Sequence, residues 1–271
     1  MEWLKLTAPA LREQVKTGKA VAVLPLGSIE KHGEHLPTGT DTLNVEYIAR
    51  EACRQAGAIM LPPMAYTMVH EMKASLGAIS LSAATFLKVL EEVCDDVSRN
   101  GVKKILLLNG HGGNGHISMT FLQDLPGKNK DYVAYYLFLT SCLSAKDREL
   151  IRSSSKASHP GGHADDVETD VTLAHYPDLV DRKAISKDPK AGTSEKDFDL
   201  GNAQPHVWWY SEYPDSLSGD PRFPSAQRGE TISKLIIARL VETIGKIKAD
   251  KKVAQRSARF EAEAHDPKKM R

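Results

Sequence analysis

A chain of 271 residues that is 41% hydrophobic and 26% charged is long enough for one large α/β domain with a substantial core. Its 36 basic and 35 acidic residues leave a net charge of +1, which removes any global pull toward nucleic acid or an acidic membrane. Three widely spaced cysteines make neither a disulfide framework nor a CxxC knuckle, and no apolar run approaches the ~20 residues that span a bilayer.

The first half alternates strand-like and helix-like stretches. Residues Met1 to Lys5 lack the charged and apolar regions of a signal peptide, so a cytoplasmic chain is expected. Ala20–Leu26 reads as a buried strand. Asp41 to Ala56 reads as a helix, with Leu43, Tyr47 and Ile48 on one apolar face. Ala58–Leu61 reads as a short strand stopped by Pro62-Pro63. Ser82–Asn100 is a strongly amphipathic helix with Ser82 placed to cap it and Gly101 just past its end. Lys103–Leu108 is a second buried strand, followed by a helix through Leu122, and Tyr132–Thr140 is a further strand. This rhythm predicts a three-layer α/β/α sandwich with a mostly parallel sheet, whose site lies at the carboxyl ends of the strands.

The second half is less regular. Asp165–His175 reads as a helix that ends before Tyr176-Pro177. Residues 183–225 read as long loops over the site, and Thr231–Ile247 as an amphipathic helix. No repeat has a fixed period. Residues 1–247 are expected to form one domain, and 248–271 a charged tail that is a frayed helix or disordered.

Three constellations carry chemistry. The first runs from Gly27 to Asp41 and holds Glu30, His32 and Asp41 just past a buried strand. Glu30 and His32 are two apart, so an extended segment points them the same way. A carboxylate–imidazole–carboxylate set without thiolate suits Zn²⁺, Mn²⁺ or Fe²⁺, and the two oxygens of Asp41 can bridge two ions. The bland alternative is a polar surface loop with chance histidines. Glu34 and His35 are expected to orient the ligands rather than bind metal.

The second is Asn109-Gly-His111-Gly-Gly-Asn114, a histidine among glycines directly after a buried strand. A plain turn is the alternative. A phosphate cradle is disfavoured, because neither GxGxxG nor GxxxxGK[ST] is present. The third is Gly161-Gly-His163-Ala-Asp165-Asp166-Val-Glu168. His163 suits a general acid or base. Glu168 either completes a metal sphere or holds His163, although acids in a first helical turn also serve the helix dipole. Glu71, Trp208 and Trp209 are candidates to line a small-molecule pocket, with an oligomer contact or ordinary core as the alternatives for the aromatic pair. No GxSxG elbow or reactive-looking cysteine supports covalent catalysis.

At these residues the sequence resembles the creatininase (creatinine amidohydrolase) family. Leu24-Pro-Leu-Gly-Ser-Ile-Glu30-Lys-His32-Gly-Glu-His-Leu-Pro37 with Asp41 is similar to its first signature, and Asn109 to Asn114 to its second. His163-Ala…Glu168-Thr169 with Ala174 to Val180 is similar to its third, and Gly219-Asp-Pro221…Ala226-Gln-Arg-Gly229 to its C-terminal pattern. The resemblance implies a three-layer α/β/α fold and a divalent metal cofactor of two ions (Zn, Mn or Fe) held by Glu30, His32, Asp41 and His111, with Asp41 bridging and Glu168 a further ligand or a support. It also implies a metal-activated water, His163 as proton donor to the leaving group, and a homohexamer. The implied substrate is a small cyclic amide, a formamide or a ring ketone. True creatininases carry a glutamate where this chain has Gly113 and another where it has Gly162, so creatinine itself is not the expected substrate. A non-catalytic metal- or small-molecule-binding protein on the same fold is the alternative. Neither nucleic acid nor membrane is an expected partner.

Overall fold

The computed structural model describes residues 1–159, 161–266 and 268. In chain order the elements are α1 (Ala8–Val15), β1 (Val21–Leu26), α2 (Thr40–Ala56), β2 (Ile59–Met60), α3 (Ala83–Arg99), β3 (Lys104–Asn109), α4 (Asn114–Asp124) and β4 (Val133–Phe138). They continue as α5 (Ala145–Ser153), α6 (Asp166–His175), α7 (Trp208–Glu212), α8 (Ala226–Ala249) and α9 (Lys252–His265).

The four strands are parallel in the order β2-β1-β3-β4. Strand β1 is buried along its whole length, because a parallel strand covered on both faces has no solvent side to give to polar residues. Its alternate residues serve two cores. Val21 and Val23 pack with α2 and α8, while Ala22, Leu24 and Leu26 pack with α3 and α4. The α/β/α layering expected from the sequence is therefore observed.

The chain steps from β1 out to β2, then crosses back to place β3 on the other side of β1. That reversal makes the carboxyl ends of β1 and β3 a switch point, where the following loops diverge and leave a crevice. Leu26 pairs with Asn109, so the loops bearing Glu30 and His111 leave the sheet at the same level.

Several boundaries differ from expectation. Strand β2 keeps only two residues of the expected four, and Pro62 and Pro63, which follow closely, bring no N–H to extend a ladder. Strand β4 stops at Phe138 and a 3-10 turn follows over Leu139–Cys142. Helix α8 starts at Ala226, where the Ser225 hydroxyl accepts the Arg228 N–H. The tail carries α9, an exposed helix whose Glu261 accepts the N–H groups of Gly127 and Asn129. Among the described residues no helix is long and apolar enough to cross a membrane.

Candidate metal centre

Two glycines let the sheet rim and α2 meet. A Cβ on Gly27 would stand 2.3 Å from Thr42 Oγ1, and one on Gly110 would stand 2.7 Å from Val45 Cβ. With neither present, the first turn of α2 sits against the ends of β1 and β3 and delivers Asp41 between their loops. The Gly27 carbonyl is then pinned by Thr67 Oγ1 and by Asn114 Nδ2, each at 2.9 Å. Beyond it, the loop folds back on itself through Glu30 N–H to the Thr38 carbonyl and a bridge between His32 and Leu36. On the other rim, Asn109 grips the next turn from both sides. Its Oδ1 accepts the His111 N–H at 3.0 Å and its Nδ2 donates to the His111 carbonyl at 2.7 Å.

The result is a buried knot of carboxylates and imidazoles. His111 Nδ1 lies 2.9 Å from both Glu30 Oε1 and Asp41 Oδ2. His32 Nε2 lies 3.2 Å from Asp41 Oδ1, 3.7 Å from Glu168 Oε2 and 3.9 Å from Glu30 Oε1. Asp41 thus turns one oxygen to each imidazole. Ser28 Oγ donates to Oδ2 at 2.7 Å. Glu30 is fully buried, and among the described residues neither of its carboxylate oxygens has a hydrogen-bond partner. A single His111 ring nitrogen facing two carboxylates has at most one N–H to offer, and Asp41 receives it. A carboxylate taken out of water with no donor is among the costliest arrangements in a protein interior. A cation among these lone pairs relieves it, and the donor set of oxygen and nitrogen fits a divalent transition metal. Three groups have the required closeness, Glu30–His32–His163, Glu30–Asp41–His111 and His32–Asp41–Glu168, and Asp41 belongs to the last two.

The protonation pattern fits the same reading. Burial acts to lower the His32 pKa, but Asp41, Glu168 and Glu30 outweigh it and push it up to about 10. Burial alone works the other way on the acids. It raises Glu30, and it lifts Glu168 to about 8 against the pull of His32. Without metal, protons take the place of cations at this centre.

His163 stands beside the knot. An antiparallel bridge to Ser218 fixes its backbone, and its ring stacks on His32 with centroids 4.0 Å apart. Its Nε2–H donates to the Lys31 carbonyl at 2.8 Å, so Nδ1 is the nitrogen that faces Glu30, at 3.9 Å. Burial and the neighbouring His32 push its pKa down to about 3, leaving it neutral. Trp209 meets the His163 ring edge-on at 5.3 Å, and its buried indole N–H has no hydrogen-bond partner among the described residues. Trp208 lies one ring further out, against Trp209. Glu71, on a 3-10 turn over His70–Met72, reaches the far side of His111, with Oε1 3.7 Å from Nε2.

The structure therefore gathers Glu30, His32, Asp41, His111, Glu168, His163, Glu71 and Trp209 at one rim. It does not do so for two residues expected to orient ligands. Glu34 is exposed and pairs with Lys31. His35 is buried but turns away, its Nε2 bonding Thr169 of α6, so it ties the loop to a helix rather than steering a ligand. Ser28 and Asn109 have the orienting contacts instead. Asn109, at a strand end two residues before a histidine, is readable as a turn former; nothing about Ser28 marks it in the sequence.

Comparison with known proteins agrees with the geometry. The family model described as "Creatininase: Creatinine amidohydrolase" matches residues 4–244. A creatinine amidohydrolase of Pseudomonas putida is 26% identical over 253 residues, covering 89% of this chain and 94% of its own. A 3-dehydro-scyllo-inosose hydrolase of Thermotoga maritima is 24% identical over 247 residues, covering 83% of this chain and 76% of its own. Among solved structures, a creatininase described as the Mn form superposes with a TM-score of 0.76 at 22% identity, covering 92% of this chain and 99% of its own.

Proposed function

The chain belongs to the creatininase family, and from that premise we propose that it is a metal-dependent hydrolase of a small molecule carrying a cyclic amide, a formamide or a ring ketone. The observation that carries this reading is the donorless, fully buried carboxylate of Glu30 facing His111 and Asp41. We assign Glu30, Asp41 and His111 to one ion, and His32, Asp41 and Glu168 to a second, with Asp41 shared. When bound, such ions polarise a carbonyl and lower the pKa of water.

The remaining steps fall to side chains. His163, neutral and with Nδ1 unprotonated, is set to accept a proton from the attacking water and pass it to the leaving group, so that it acts as base before it acts as acid. Stacking on His32 and the bond to Lys31 hold its ring still for that transfer. The unpartnered Trp209 N–H beside it supports a role as a donor on the pocket wall, with Trp208 behind.

Creatinine is not our expected substrate, and the two departing glycines supply the reason. A Cβ on Gly162, where φ is +152°, would stand 2.0 Å from the Ser218 carbonyl oxygen. A Cβ on Gly113 would stand 2.3 Å from Glu71 Oε1. The first clash is with main chain, so Gly162 has no room for the carboxylate found in true creatininases; the second is with the tip of Glu71 and the His111 ring, so a glutamate at 113 and this placement of Glu71 exclude each other.

The test is metal content per chain after reconstitution, for wild type and Asp41→Ala, followed by turnover on a panel of lactams, formamides and cyclic keto-sugars. Close to two ions per chain in wild type, a sharp fall in the variant, and chelator-reversible hydrolysis are expected. Metal without any turnover across the panel would favour a binding protein on the same fold, and no metal in either protein would remove the mechanism.

A further inference from the structure

Three imidazoles meet at the centre, and each needs its tautomer fixed if one nitrogen is to present a lone pair. Two of them are fixed by the main chain. His32 Nδ1 faces the Glu30 carbonyl oxygen at 3.2 Å, and His163 Nε2 faces that of Lys31 at 2.8 Å. Backbone acceptors of this kind survive any side-chain substitution. His111 is the exception. Its Nδ1 faces Glu30 and Asp41, so an ion held among these three would require the proton of the neutral ring on Nε2, and Nε2 is buried with no hydrogen-bond partner among the described residues.

The acceptor within reach is a side chain from a distant segment. Glu71 Oε1 stands 3.7 Å from His111 Nε2, within about 1 Å of a direct hydrogen bond. The space between the two is the space beside Gly113. A Cβ there would lie 2.3 Å from Glu71 Oε1 and 2.5 Å from His111 Nε2. Glycine at 113 is thus what lets the carboxylate and the ring approach each other.

We propose that Glu71 is a positioning residue for His111, accepting its Nε2–H so that Nδ1 can turn a lone pair to an ion bound beside Glu30 and Asp41, in a notch that exists only because residue 113 is glycine. This rests on the metal-centre reading above. A carboxylate behind a ligating histidine fixes the ring's orientation and raises its basicity, and removing such a partner characteristically costs about 10–100-fold in metal affinity. The assignment differs from a substrate contact in what it predicts. A positioning residue changes how the protein holds metal when no substrate is present.

The experiment measures manganese affinity by chelator competition, the visible absorption of the cobalt(II) form, and the melting temperature of the metal-free protein, for wild type, Glu71→Ala, Glu71→Gln and Gly113→Ala. Glu71→Ala is expected to weaken manganese binding about 10–100-fold and to shift the cobalt spectrum, with the metal-free melting temperature unchanged. Glu71→Gln keeps an oxygen that can accept the Nε2–H and is expected to recover most of the loss. Gly113→Ala, which fills the notch, is expected to weaken binding at least as much as Glu71→Ala. Manganese affinity and a cobalt spectrum unchanged in Glu71→Ala, with KM alone raised, would overturn the proposal and give Glu71 to the substrate. A wild type that takes up no manganese at all would instead refute the metal centre on which it rests, and the two failures are told apart by the wild-type measurement.

Discussion

Helix α6 separates two buried acidic clusters that solve the same electrostatic problem differently. On one side, Asp166 and Asp170 share Arg228. Asp170 accepts Arg228 Nη1 at 2.6 Å and the Ser225 N–H at 2.5 Å, while Asp166 accepts Arg228 Nη2 and Ser155 Oγ. There the protein supplies its own cation. On the other side, Glu168 faces His32 and groups with Asp41, which His111 and Glu30 join, and no lysine or arginine pairs with any of these acids among the described residues. Burial of acid is common to both clusters. What separates structure from function is whether the chain carries the countercharge or leaves its place for something from solution.

The sharpest way to break this contrast is to neutralise one acid at the centre. Glu30→Gln is expected to abolish metal uptake and to lower turnover by about 10³-fold or more, since Lewis-acid stabilisation is worth several kcal/mol. The metal-free variant should melt at or above the metal-free wild type, because a buried carboxylate without a donor has been removed. A clearly lower melting temperature would mean that Glu30 is structural, like Asp170.

The mirror experiment is Arg228→Met. Removing the cation leaves Asp166 and Asp170 buried with fewer partners, and a loss of about 3–5 kcal/mol in unfolding free energy is expected. Metal per folded chain should be unchanged. Metal lost in proportion to stability would show that the two clusters are coupled through α6.

A smaller effect follows from loading. Metal at about 100 times its dissociation constant should stabilise wild type by about 2.7 kcal/mol, read from denaturant melts with and without chelator. Arg228→Met should gain the same increment, and Glu30→Gln none.

The gentlest probe is pH. His32 is raised to about 10 from a usual value of 6.5, so its stabilising effect is complete below about 6.5 and fades as pH climbs toward 10. Glu168, raised to about 8, fades in the same direction. The metal-free protein should therefore lose stability from neutral pH upward, while apparent metal affinity rises because ligands must shed protons to bind. Calorimetry in buffers of different ionisation enthalpy would detect that proton release, and a pH-independent affinity would contradict it.

How much of this was written in the sequence depends on the range of the interaction. The strands, the major helices and the loops bearing Glu30, His32, Asp41 and His111 announce themselves by local patterning, because burial period and turn chemistry act over a few residues. Short α1 and α5 escaped notice. Both are only eight or nine residues long and bury almost nothing, although Ser144 and Asp147 form a capping box that marks the start of α5. Contacts between distant segments were not legible. Nothing in Ser28 says that it will donate to Asp41, and nothing in His35 says that it will bond Thr169 rather than steer a ligand. The sequence left open whether Glu168 faces the metal cluster or supports His163. In the fold its carboxylate accepts the Ala164 N–H at 2.6 Å while facing His32, so it braces the loop that carries His163 and turns toward the ligands as well.

The pairing of Leu26 with Asn109 has a meaning for how such proteins diverge. Three of the five assigned ligands lie within three residues past a pairing strand or in the first turn of a helix, and a one-residue slip between β1 and β3 would part Glu30 from His111 by about 3.3 Å. Trp208 and Trp209 also open a helix, but α7 has only five residues and sits in a long segment with little other regular structure. Inheritance can hold the reactive core in register through the main chain while leaving the surrounding walls open to revision. A lineage built this way changes its diet more readily than its chemistry.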